Sequence, residues 1–95
     1  MVTHIVLLQP KPDIPANEIT NTLAQVEALQ HTIPGIVDVQ AGKNMSDYNQ
    51  GYTYGFFMRF VDTDHLKAYA PHPAHQIVSQ ELQRICLKII DFDIE

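Results

Sequence analysis

The chain has 95 residues and a formal charge of −5, which suffices for one small domain with a modest core. The acidic balance argues against nucleic acid and anionic membrane surfaces as partners, because neither attracts it. A single cysteine, Cys86, permits no internal disulfide; the opening apolar run is too short for a membrane span and lacks a signal peptide's basic start, so a cytoplasmic protein is expected.

Val2 to Gln9 is almost wholly apolar, rich in β-branched residues and closed by Pro10-Lys11-Pro12, the pattern of a strand buried on both faces. Ile19, Leu23, Val26, Leu29 and Ile33 recur at helical spacing, with Pro15 suited to the first turn and Pro34-Gly35 to the stop. Ile36 to Ala41 reads as a second strand with Val37, Val39 and Ala41 on one side. The stretch "GKNMSDYNQG" has no period and reads as a loop. Tyr52 to Phe60 reads as a third strand, with Tyr52, Tyr54, Phe56 and Phe60 sharing a side. Asp62 suits the N-cap of a short helix whose Leu66 and Tyr69 share a face. Another helix follows Pro73 with Val78, Leu82 and Ile85 inward, and "CLKIIDFDI" closes the chain as a fourth strand.

The order β-α-β-β-α(α)-β predicts an α+β fold, the ferredoxin-like arrangement of a four-stranded antiparallel sheet with helices on one face. Both sides of the first and last strands are apolar: Ile5 and Leu7 oppose His4, Val6 and Leu8, while Leu87 and Ile89 oppose Ile90, Phe92 and Ile94. Helices cover one side only. A homodimer closing over the other, through Ile5, Leu7, Leu87 and Ile89, is expected, and two such sheets face to face make a dimeric α+β barrel.

The segment "YAPHPAH", Tyr69 to His75, concentrates the chemistry. Each proline disfavours helical backbone in the residue before it, so Ala70 and His72 should be extended or in a turn. Pro73 suits the first helical position, which makes His72 the N-cap and places His75 in the first turn, on the stripe of Val78, Leu82 and Ile85. There the helix dipole and burial both disfavour imidazolium, so a neutral His75 is expected. His4, mid-strand, looks toward His75 if its side lies under the helices, and Tyr52, Tyr54 and Tyr69 border the same space. A mainly apolar cavity with few polar groups is the usual make-up of a small-molecule site.

These pieces resemble the Dabb family, the stress-responsive A/B barrel domains, from "HIVLLQPK" through "IPGIVDVQAGKNMS", "GYTYGFFMRFVD" and "YAPHPAH" to "IIDFDI". The resemblance covers essentially the whole chain as a single domain. It implies a ferredoxin-like protomer pairing into a dimeric α+β barrel. The family includes plant stress-associated proteins, bacterial members without known role, and a plant polyketide cyclase resembling this chain in "GYT" and "HPAH". In that cyclase the last histidine of the motif is the general base, helped by a tyrosine. Carried over, these catalytic roles fall on His75 and Tyr69, with His4 as a further pocket residue; ligand contacts are expected from His4, Tyr54, Phe56 and His72. The cyclase has a histidine directly after "GYT" where this chain has Tyr54, which separates the two in substrate.

His72 and His75 alone are too few ligands for zinc, and no cysteine pair, HExxH or neighbouring carboxylate completes a set, so no metal is expected. Asp91 and Asp93 are expected at the rim or in solvent, and Cys86 as an inert packed thiol. The loop lacks phosphate-cradling glycine spacing, and no cofactor is expected. One reading is a domain holding a small hydrophobic or aromatic molecule on which His75 moves a proton. The other is a non-catalytic, stable homodimer whose histidines are structural. A cofactor-free monooxygenase-like enzyme is a further alternative.

Overall fold

The apolar N-terminal run forms strand β1, Val2–Pro10, in the computed structural model, which describes residues 1–95. Helix α1 covers Ala16–Ala28 and runs into a single 3-10 turn at Leu29–His31. Pro15 takes its N-cap, one position earlier than a first-turn proline. Strands β2, Ile36–Lys43, and β3, Tyr54–Phe60, form a hairpin, followed by helices α2, Thr63–Tyr69, and α3, Pro73–Ile85. Strand β4, Cys86–Ile94, follows α3 without an intervening residue. The four strands make one antiparallel sheet in the order β2-β3-β1-β4, with all three helices on one side: the ferredoxin-like fold. No helix is long and apolar enough to cross a membrane.

Alternation along β1 settles which side is which. Val2, His4, Val6 and Leu8 are buried under the helices, while Thr3, Ile5 and Leu7 point to the open side. Directly opposed residues of antiparallel neighbours share a face. On β3, Phe60, Met58, Phe56 and Tyr54 oppose Val2, His4, Val6 and Leu8, so they join the core side. The core also takes Ile19, Leu23 and Val26 of α1, and Val78, Leu82 and Ile85 of α3, at the helical spacing of the sequence.

Three local expectations are corrected. On β4 it is Ile90, Phe92 and Ile94 that oppose Leu7, Ile5 and Thr3, so these share the open face, while Ile89 opposes Leu8 on the helix side and Leu87 falls unpaired in a register shift. Both alternating sets are apolar, and only pairing phases such a strand. On β2 the register jumps between Ile36 and Asp38, which makes Val37 the extra, exposed residue of a bulge. Ile36, Val39 and Ala41 therefore pack on the core, without Val37. Strand β3 starts two residues later than its aromatic pattern suggests, because Asn44 holds the carbonyls of Thr53, through its backbone N–H, and of Tyr52, through its side-chain amide.

Gly35 marks the entry to β2 with φ 89°, and a Cβ there would lie 2.4 Å from the His65 ring. Only glycine permits both that backbone and that approach. Arg84 of α3 bonds Glu18 of α1, which ties the two helices at the surface. On the open face, Asp38 and Arg59 form a bidentate pair, and the guanidinium holds the carboxyl below its usual range.

Candidate functional site

Helix α2 ends where Pro71 offers no N–H to continue it. Ala70 keeps helical backbone as the C-cap, and His72 turns extended (φ −62°, ψ 133°), as expected of a residue before proline. The His72 Nδ1 accepts a hydrogen bond from the Ala74 N–H at 3.1 Å and so caps α3. The Ala70 carbonyl, left over at the end of α2, accepts from His75 Nδ1 at 2.9 Å. That bond fixes the His75 tautomer: Nδ1 carries the proton and Nε2 keeps its lone pair.

The rings of Tyr69 and His75 lie 4.2 Å apart between centroids, tilted by 52°. Tyr69 also meets His4 edge-on at 5.7 Å, so its phenol stands between the two imidazoles. The residue is only 5 % exposed; its hydroxyl makes no hydrogen bond within the chain, and since no buried polar side-chain atom is left without a partner, that oxygen keeps its access to the cleft beside β4. Burial pushes the phenol above its usual range, which keeps it a protonated donor.

His4 is 8 % exposed on the helix side of β1. Its Nδ1 lies 2.5 Å from an oxygen of Asp93, directly across on β4. Asp91, two residues earlier, therefore points to the same side. The two aspartates thus stand on the histidines' side of the sheet, exposed at the rim of the cleft as expected of them.

The helices leave the helix-facing side of the edge strand β4 partly uncovered, and a cleft results. Its deeper part, about 480 Å³, runs between α3 and β4 past Val78, Leu82, Cys86 and Ile89. A second part, about 500 Å³, opens toward α2 past Leu66 and Ala70. His4, Tyr69, His75 and Asp91 line both parts. Volumes of this size suit a small organic molecule.

Of the residues singled out from sequence, His4, Phe56, Tyr69 and His75 thus come together. Tyr54 packs against the core at the far end of β3, opposite Leu8, and lines no part of the cleft. His72 lines none either, its ring being turned to its capping bond. Sequence reasoning missed Asp91 and Asp93 as site residues. The strict alternation in "IIDFDI" was the available signal, since it sets both carboxylates against Ile90, Phe92 and Ile94. Burial raises the Cys86 thiol against a small opposing effect of Lys11, which leaves it a poor nucleophile.

The family described as "Stress responsive A/B Barrel Domain" matches residues 2–95. Among solved structures, a dimeric ferredoxin-like protein of unknown function from Jannaschia is 30 % identical, with TM-score 0.86 over 99 % of this chain and 97 % of its own. An Arabidopsis thaliana protein superposes with TM-score 0.93 at 24 % identity, over 100 % of this chain and 94 % of that one. A hydroxynitrile lyase from Passiflora edulis shares the fold at 21 % identity, with TM-score 0.89 over 98 % and 90 %. No curated protein matches the sequence.

Proposed function

Since the chain belongs to the stress-responsive A/B barrel (Dabb) family, we propose that its cleft holds a small, mainly apolar carbonyl compound and that His75 moves a proton on it. The observation that carries this reading is Tyr69, packed against the His75 ring on the wall shared by both parts of the cleft, with a hydroxyl that makes no hydrogen bond within the chain. A hydroxyl that reaches the cleft and is engaged by no group of the chain is free to donate to a ligand oxygen. A phenol held protonated donates to a carbonyl oxygen and draws charge onto it. His75 Nε2, whose lone pair is left free by the Ala70 bond, removes a proton from the neighbouring carbon.

The result is an enol or enolate, the first stage of cyclisation, isomerisation and aldol-type bond making. That agrees with the cyclase roles the sequence resemblance carried to these positions. The same fold also supports a hydroxynitrile lyase, so chemistry on it has precedent. A structural role alone would fill the space beside His75, and a substrate-sized cleft favours the catalytic reading.

The open sheet face fits the homodimer expected from sequence. Ile5, Leu7, Phe57, Ile90, Phe92 and Ile94 lie on one side of the sheet with no helix over them. A second copy packed there completes a barrel, and structural neighbours are described as dimeric.

The test follows exchange of the α-protons of phenylacetone in deuterated water by NMR. Wild-type protein should exceed the buffer rate, and His75→Ala should return it to background while remaining folded. Equal rates for His75→Ala and wild type, or no rate above buffer for either, overturn the reading.

A further inference from the structure

Tyr69 stands between two imidazoles, and the reading above uses only one of them. Every partner of His4 in β1 on its side of the sheet is aliphatic: Val2, Val6 and Leu8. Packing alone therefore asks for an aliphatic residue at position 4. The chain instead places a histidine there and sets a carboxylate against it from a strand 89 residues away. The bond at 2.5 Å orients the ring as firmly as the Ala70 carbonyl orients His75. In both rings Nδ1 is bound, which leaves Nε2 as the free nitrogen.

We infer that His4, held by Asp93, is the second proton-transfer group of the cleft, and that the two imidazoles work as an acid–base pair on one ligand. The inference rests on the proposed role of His75. Proton balance asks for such a group. When His75 Nε2 takes the proton from carbon, the C–H electron pair forms the C=C bond and the carbonyl π pair moves to oxygen. Tyr69 can hydrogen-bond that oxygen, but surrendering its proton would leave a buried phenolate. His4 supplies the proton from Nε2 instead. In the form that does so it carries protons on both nitrogens, and the Asp93 carboxylate balances the charge. After transfer His4 is neutral with Nδ1–H still on Asp93, His75 is the imidazolium, and the ligand is the enol. The reverse transfers restore all three.

His4 also lies on the wall common to both parts of the cleft, together with Tyr69 and His75. A ligand carbonyl against Tyr69 is thus within the reach of either ring. Asp93 acts through His4 and is a positioning residue, with its side chain about half exposed.

The experiment measures kcat and KM for phenylacetone α-proton exchange in wild type, His75→Ala, His4→Gln and Asp93→Asn, with ¹⁵N spectra of the histidine rings. His4→Gln should lower kcat about a hundredfold with little change in KM. Asp93→Asn keeps an acceptor without the charge; it should lower kcat by roughly tenfold and alter the His4 ring signals while leaving those of His75 unmoved. The Asp93 change is on a half-exposed side chain and tests the idea even if His4→Gln folds poorly. Full kcat in Asp93→Asn and in folded His4→Gln, with His75→Ala inactive, overturns the role of His4 alone. A wild type no faster than buffer overturns both readings together.

Discussion

Phe92→Lys is the sharpest probe of what covers the open face. The ring is 56 % exposed in the protomer, flanked on that face by Ile90, Ile94 and, across on β1, Ile5. A phenylalanine presents roughly 200 Å² of surface, so about 110 Å² of this one awaits cover. At about 25 cal/mol per Å² that is near 3 kcal/mol per ring. Twofold symmetry brings two rings into the contact, for about 6 kcal/mol, or roughly a ten-thousandfold weaker dimer if both are fully covered. Partial cover of each ring sets the lower bound near a hundredfold. Sedimentation velocity at low micromolar concentration should give a dimer for wild type and a folded monomer for Phe92→Lys. Ile89→Lys, three residues earlier on the same strand but on its helix-facing side opposite Leu8, should leave the dimer intact. The reasoning fails if wild type is a monomer, or if Ile89→Lys splits the dimer and Phe92→Lys does not.

Tyr69→Phe should leave the melting temperature almost unchanged, because the hydroxyl opens on the cleft and bonds nothing in the chain, yet it should cost at least about a hundredfold in phenylacetone exchange; unaltered exchange refutes the donor role. His72→Ala removes the N-cap of α3 and should destabilise by about 1 kcal/mol, a loss that His72→Asn restores. Calorimetry reads it, and a change in exchange rate without a stability loss would move His72 from cap to ligand contact. Gly35→Ala forces a side chain into a left-handed backbone against His65 and should cost about 2 kcal/mol. Combining it with His65→Ala should recover the steric part, and full stability of the single variant would contradict the clash.

Periodicity was enough to place the helices and strands, and a proline or glycine bounds most of them, although none stands between α3 and β4. The strand faces were harder. In "CLKIIDFDI" both alternating sets hold large apolar residues, so no pattern tells the core from the open side, and the pairing of Ile5 with Phe92 decides it. A bulge such as that at Val37 leaves no mark in a run of β-branched residues. The site divides along similar lines. Tyr69 and His75 are six residues apart on either side of two prolines, and local rules bring them together. His4 and Asp93 lie at opposite ends of the chain, and only the adjacency of β1 and β4 joins them. Tyr54 shared the right side of the right strand but stood too far along it, a distance that side-chain alternation does not encode.

The direct passage from α3 into β4 has a consequence for how the domain tolerates change. Ile85 is the last helical residue and Cys86 the first of the strand, with the Cys86 N–H still bonded to the Leu82 carbonyl and the Lys11 N–H to that of Ile85. The β1–β4 register already shifts here, between the Gln9–Lys88 and Pro10–Cys86 pairs, so the one-residue slack at Leu87 is in use. One insertion there would turn β4 over along its whole length. Asp91 and Asp93 would pass to the outer surface, and Phe92 would swing into the cleft. The polar wall of the cleft and the apolar open face would be lost in the same step. The junction therefore sets the phase of two otherwise separate properties, and a lineage can lengthen the β2–β3 hairpin freely while this joint remains frozen.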